Sequence, residues 1–358
     1  MLRLGVLDQS PVRSGGVVSD AIHETLELAE LCDRLGYHRY WLAEHHSSPG
    51  LASTAPEILI TRVAAETRHL RVGSGGVMLS HYSPLKVAET FRMLEALYPG
   101  RIDLGIGRAP GSDQLTAIAL QHGPGALGIE YFPNQISDLL GFMENRLPAN
   151  HPFQRIRVMP AGDTLPEFWL LGSSDQSAIF AAYFGCAFSF AHFITAEGGT
   201  EVMEVYRQQF RPSERLSAPL GSIGVFVICA ETEAKARHLA ASRDLMRLRL
   251  DQGIFAPVPP PEEALAYPCT PAELRRLEHY RRRQTIGTPE RILRRLVETP
   301  HLEGTDAEMA AQQVVSWRQT QPAGAVQINP HGSPAQPPGS GCETRPPRQG
   351  PRRTPHRG

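Results

Sequence analysis

A chain of 358 residues, 41% hydrophobic and 20% charged, with a formal net charge of −1, is long enough to bury a large core. The near-neutral balance excludes a polyanion-binding surface spread over the whole molecule, so no nucleic-acid partner is expected. No apolar run approaches the ~20 residues that span a bilayer, and the chain opens on a strand pattern and not a charged leader. The expectation is a soluble, cytoplasmic protein with no membrane partner. Its five cysteines, Cys32, Cys186, Cys229, Cys269 and Cys342, are odd in number and far apart, which fits reduced thiols.

In chain order, LRLGVLD (2–8) is a buried-strand pattern, and Ser19 and Asp20 offer caps for a helix reaching Leu35. YHRYWLA (37–43) reads as the next strand and APEILITRVAAET (55–67) as the next helix. LRVGSGGVML (70–79) is strand-like, SPLKVAETFRMLEAL (83–97) is a helix with Pro84 in its first turn, and RIDLGIG (101–107) is again a strand. A less regular stretch runs to about residue 160. EFWLLG (167–172), a helix to Phe184, CAFSFA (186–191), a helix around 198–210 and GSIGVFVICA (221–230) then resume the alternation. ETEAKARHLAASRDLMRL and TPERILRRLVE (288–298) read as helices, and EMAAQQVV (308–315) as an eighth strand.

Strands each followed by a helix require parallel pairing with crossovers, and this number of units suits an α/β fold, a (β/α)8 TIM barrel with insertions. A doubly wound open sheet is the competitor, but DQSPVRSGG after the first strand is not the glycine fingerprint it would carry. The expected barrel domain is 1–317. From 318 to 358 Pro, Gly, Ser and Arg dominate without amphipathic period, which predicts a disordered tail and an altered closure of the barrel. A frameshift near residue 315 would produce so abrupt a change, and would leave part of the apolar barrel wall uncovered.

A barrel builds its site at the C-terminal ends of its strands. WLAEHHSSPG (41–50) lies there, with Glu44, His45 and His46. It is open to three readings: a metal site, a proton-handling site, or side chains that satisfy one another. Adjacent histidines on an extended segment point to opposite faces, and no HxH on the first strand completes a barrel metal site, so metal ligation is disfavoured. Gly73, Gly75 and Gly76 inside a strand weaken it unless something flat lies against the bare backbone. Gly172, Ser173 and Ser174 sit where a strand gives way to a helix, a place that favours an anion, and Arg108 on a neighbouring loop completes a phosphate clamp. The bland alternative is that Ser174 is an N-cap and Arg108 a surface charge. Tyr82, Phe132, Trp169 and Phe190 either line an apolar pocket or belong to the core.

Taken together, HRYWLAEHH (38–46), GSGGVML (73–79), YPGRIDLGIGRAPGSD (98–113) and FWLLGSS (168–174) carry a resemblance. The chain is similar to the bacterial luciferase-like flavin monooxygenases over roughly residues 2–315. The resemblance implies a cofactor, reduced FMN supplied by a separate reductase, used with O2 to oxidise a small organic, aldehyde-like or other apolar substrate. It implies a non-prolyl cis peptide at Gly75–Gly76 against the flavin ring, and FMN-phosphate ligands Arg108, Ser174 and Ser177 beside Gly172 and Ser173. It implies that His45 moves protons near the flavin, with Glu44 either orienting it or packing away and His46 structural. A homodimer formed through helices near the start of the barrel is implied as well. Gly107 stands where luciferases carry a reactive cysteine, and His192 where they place a tryptophan, which argues against light emission. Two further readings stay open: a deazaflavin-dependent oxidoreductase of the same fold, and a flavin-binding protein without turnover.

Overall fold

The computed structural model describes residues 3–121, 129–195, 197–297 and 308–312. Its strands are β1 (Arg3–Asp8), β2 (Arg39–Leu42), β3 (Arg71–Met78), β4 (Ile102–Gly107), β5 (Glu167–Gly172), β6 (Ala187–Ala191), β7 (Gly221–Cys229), β8 (Gln284–Gly287) and β9 (Glu308–Gln312). Neighbours pair in parallel from β1 through to β7, and β9 pairs with both β7 and β1, so the sheet closes on itself. The result is a (β/α)8 TIM-barrel-like ring in which β8 hangs on the last residues of β7 without joining the closure.

The expected eighth strand is therefore the closing one, in register Arg3↔Glu308 on one side and Ser222↔Glu308 on the other. β8 was not expected. Four residues, TIG among them, follow an arginine run and precede Thr-Pro, too short a stretch to show a period of two. The irregular stretch before residue 160 holds two helices, Gln114–Leu120 and Phe132–Met143, and the first is capped by Asp113, whose side chain accepts from the Thr116 N–H. The expected tail, 318–358, lies outside the described residues.

Strand alternation decides what faces the helices and what faces the lumen. Along β4, Ile102, Leu104 and Ile106 are fully buried in the layer between sheet and helices. Each such side chain contributes about 1.5–3 kcal/mol by leaving water. The alternate residues Asp103, Gly105 and Gly107 face inward. A separate interior cluster, Leu7, Trp41, Ala43, Trp169 and Ala187, fills the lumen, with the rings of Trp41 and Trp169 meeting edge to face at 5.1 Å. They reach across strands that are bare beside them, because Gly73 pairs with Trp41 and Gly105 with Trp169.

Below the tryptophans the N-terminal end is closed by charge. Asp103 is fully buried and accepts from Arg39 at 2.5 Å, from Arg71 at 2.8 Å and from the Trp41 indole at 2.9 Å. Glu167 accepts from Arg39 at 2.7 Å and from the Trp169 indole at 2.8 Å, and the Arg39 guanidinium lies over the Trp169 ring. Every carboxylate and cation here has a partner, which is the condition for burying them at all. No helix of the described residues is long and apolar enough to cross a membrane.

Candidate functional site

Above the tryptophan floor the inward positions become small: Ala43 after β2, Gly75 in β3 and Gly107 at the end of β4. A methyl group placed on Gly107 would make ordinary contact with the end of Met78, its sulfur at 3.8 Å, so this position has room for a small side chain. Gly75 and Gly76 are joined by a cis peptide bond, as the resemblance implied. Their own packing is tight. A Cβ on Gly75 would lie 2.4 Å from Leu7 Cδ1, and one on Gly76 2.8 Å from the Gly105 carbonyl oxygen. The backbone there has no room for side chains, and the β3–β4 register shifts between Gly75 and Val77. Ser74 supports the irregular stretch, its hydroxyl donating to the Gly105 oxygen at 2.7 Å and accepting from the Gly105 N–H at 3.1 Å.

The segment after β2 sorts its three polar residues by alternation. His45 falls on the lumen side with Trp41 and Ala43, while Glu44 and His46 share the opposite side. His45 Nε2 lies 3.4 Å from the Gln9 amide nitrogen, its backbone N–H is held by Ser53, and its Nδ1 is buried without a hydrogen-bond partner. With the Gln9 amide donating, Nε2 accepts and the ring proton sits on Nδ1. Burial, and secondarily the neighbouring His46, depress the His45 pKa to about 4, so the ring is neutral at physiological pH.

Glu44 does not orient His45. Its buried carboxylate accepts from His46 Nε2 at 2.7 Å, from the Tyr82 hydroxyl at 2.7 Å and from the Met78 N–H at 2.9 Å. Burial and the adjacent Glu44 charge push the Tyr82 phenol well up, which keeps it protonated as the donor. His46 is more than a bystander. Its N–H bonds the Gly111 carbonyl at 3.0 Å, and its ring meets the His81 ring edge to face at 6.2 Å, while His81 bonds the Pro110 carbonyl at 2.7 Å. These contacts tie the ends of β2, β3 and β4 into one rim. Sequence reasoning missed Ser74, Gln9 and His81 as parts of that rim, and had Tyr82 only as a pocket liner or core residue. Phe132, Trp169 and Phe190 are buried core.

Arg108, Ser174 and Ser177 also lie near one another. Arg108 leaves the end of β4 and donates to the side chain of Gln176, in the first turn of the helix Asp175–Phe184. Ser174 is that helix's N-cap residue, and its hydroxyl lies 3.3 Å from that of Ser177. A Cβ on Gly172 would lie 2.2 Å from Ser177 Oγ, so only glycine lets this turn close. Ser173 lies between Gly172 and Ser174 in the same turn. A helix N-terminus, two hydroxyls and a guanidinium thus lie at one strand-to-helix junction, the kinds of donor that a phosphate monoester takes.

With this geometry in view, comparison with known proteins is decisive for the family. The model of the luciferase-like monooxygenases matches residues 2–307. The chain belongs to the luciferase-like monooxygenase family. It is 46% identical to the uncharacterised protein YceB of Bacillus subtilis over 298 residues, 83% of this chain and 90% of that one. It is 40% identical to the N-acetyl-S-alkylcysteine monooxygenase of the same organism over 272 residues, 75% of this chain and 79% of that one. The crystal structure of apo-MsnO8 superposes with a TM-score of 0.79 at 38% identity, covering 87% of this chain and 93% of that one. In this fold Glu44, His45, Arg108 and Gly172 to Ser174 lie at the ends of β2, β4 and β5, with Gly75 and Gly76 in β3 between them and Ser177 in the helix after β5.

Proposed function

We propose that this family member is an FMN-dependent monooxygenase that uses reduced FMN and O2 to oxidise a small organic substrate. The observation that carries the reading is the adjacency of the bare Gly75–Gly76 backbone, where no side chain fits, and the Arg108–Ser174–Ser177 corner on the next strands. A planar ring and a phosphate on one molecule fit those two features together. Bound reduced FMN supplies two electrons, with which one oxygen atom of O2 enters the substrate and the other leaves as water. Arg108, Ser174 and Ser177 hold the phosphate, and Gly172 and Ser173 shape the turn around it. Gly75 and Gly76 give the ring a flat seat, and the Trp41–Trp169 floor excludes water beneath it.

His45 is the proton-handling residue. A neutral imidazole with an unpartnered Nδ1–H and a weakly held Nε2 gives up the proton on Nδ1 and takes one at Nε2, so it relays a proton without remaining charged. Glu44 acts at one remove, by fixing Tyr82, His46 and the Met78 amide. The protein works with a separate flavin reductase and as a homodimer. Exposed Ile58, Met93 and Leu97 on the helices Pro56–Glu66 and Pro84–Leu97 support that pairing.

The test is an anaerobic titration with reduced FMN, riboflavin and a deazaflavin, followed by admission of O2 in the presence of organic acceptors. FMN is expected to bind roughly tenfold or more tightly than riboflavin, a preference lost in Arg108→Met. Tighter binding of the deazaflavin than of FMN would overturn the cofactor assignment, and binding without substrate-dependent oxygen consumption would reduce the protein to a flavin carrier.

A further inference from the structure

Across the ring from β3, the strand β7 carries a second feature that the flavin seat leaves unexplained. On β7, Ile223, Val225 and Val227 pack outward with Ile292 and Leu296 of the helix Pro289–Val297. Phe226 and Ile228 therefore face the other way, where Ala236, Leu239 and Ala240 of the helix Glu233–Asp251 fold over them. Phe193, just after β6, touches both this cluster and the Trp41–Trp169 cluster, so the Phe226 wall is continuous with the lumen.

On that wall lies a buried cation with an unpartnered donor. The Arg243 guanidinium sits 5.1 Å from the centre of the Phe226 ring, and its Nη1 is buried with no hydrogen-bond partner. Among the described residues it makes no ion pair, although carboxylates are near. Asp244 attracts Arg243 but hydrogen-bonds Arg281 through Oδ2, at 2.6 and 2.8 Å, and not Arg243. Asp251 is taken by Arg247 at 3.1 Å and by the Tyr280 hydroxyl at 2.6 Å. Arg283, the next guanidinium along, bonds the Ile194 carbonyl and likewise has no carboxylate. Burial, and then the like charge of Arg247, hold the Arg243 pKa down to about 10, against the opposing pull of Asp244. A cation desolvated without a hydrogen-bonded anion costs several kcal/mol, a cost that a ligand's charge offsets.

We propose that Arg243 anchors a carboxylate on the organic substrate, on the wall opposite Gly75–Gly76. The inference rests on the reading of the mouth as a flavin site and names the substrate class: small organic acids whose apolar part lies over Phe226 and Phe193 toward the ring. The anion is the substrate's and not the cofactor's, because the phosphate corner stands at the ends of β4 and β5, away from β7 around the ring. A guanidinium with free donors presents the paired N–H geometry that a carboxylate accepts, and its stacking on Phe226 fixes the plane.

Calorimetric titration of the full chain with hexanoate and with hexanamide, each with and without FMN, tests this. Hexanoate is expected to bind roughly tenfold or more tightly than its uncharged isostere. Arg243→Met should abolish that preference and Arg243→Lys retain part of it, both with FMN affinity unchanged as evidence of an intact barrel. Arg243→Gln gives the same readout if the methionine variant does not fold. Equal affinity for the two probes, or a preference that survives loss of the Arg243 charge, would falsify the anchor. Failure of FMN to bind while hexanoate keeps its preference would sink the cofactor reading and leave the anchor standing.

Discussion

Asp103, Gly105 and Gly107 stand on the same face of β4, and they pass from one end of the barrel to the other. At the N-terminal end Asp103 is completely buried and gathers Arg39, Arg71 and the Trp41 indole. In the middle Gly105 lies against the Ser74 carbonyl, where a Cβ has no room. At the C-terminal end Gly107 has no side-chain neighbour closer than 3.8 Å from where its Cβ would lie. The lower end is saturated with partners and holds the ring of strands together. The upper end keeps tightly packed bare backbone, an unpartnered imidazole nitrogen and a guanidinium nitrogen without a hydrogen-bond partner. The contrast is what separates a stability layer from a site in a barrel.

The largest test of this contrast is Asp103→Ala. It leaves Arg39 and Arg71 with one fewer buried counter-charge, and removing one partner of a buried pair costs about 3–5 kcal/mol. Chemical denaturation should show a loss of that size. A loss under about 1 kcal/mol would mean the lower end is not the stabilising layer.

A smaller effect separates the two glycines. Alanine at Gly105 would put Cβ 2.2 Å from the Ser74 carbonyl oxygen, so the β3–β4 ladder has to move, at about 1–3 kcal/mol. Alanine at Gly107 meets only the end of Met78 and should leave stability within about 0.5 kcal/mol. Leucine at Gly107 should fold as well but weaken reduced FMN roughly tenfold or more, by filling the mouth. Equal stability losses at the two positions would erase the distinction between floor and mouth.

The sequence was most legible where one residue type had one physical use. Gly75–Gly76 in a strand, Arg108 after a strand and Gly172-Ser-Ser before a helix each named their place, and the structure brings them to neighbouring strand ends. The segment after β2 was legible in part. Alternation separated His45 from His46, but it did not show that Glu44 follows His46, because that choice depends on Tyr82 and the Met78 amide arriving from β3. β8 escaped because four residues show no period, and the Arg243 wall escaped because a guanidinium on a polar-looking helix reads as solvated. Only the packing of Phe226 beneath it shows otherwise.

The subtlest test concerns His45 and the acidity at which the upper end fails. Its folded pKa is about 4 against an ordinary value of 6.5, so between those two values the unfolded chain binds the proton and the folded chain does not. Stability from this residue is complete above pH 6.5 and is lost as pH falls toward 4. One proton contributes a slope of at most about 1.4 kcal/mol per pH unit in that window. Replacing His45 by glutamine, which does not titrate, should flatten the acid limb of the stability curve relative to the wild type. The difference between the two proteins should shrink as pH falls from 6.5 to 4, while carboxylates common to both drop out of the comparison. Parallel curves would show that the ring is solvated and free to charge. The imidazole would then not be the dry, neutral acceptor on which its role at the mouth depends.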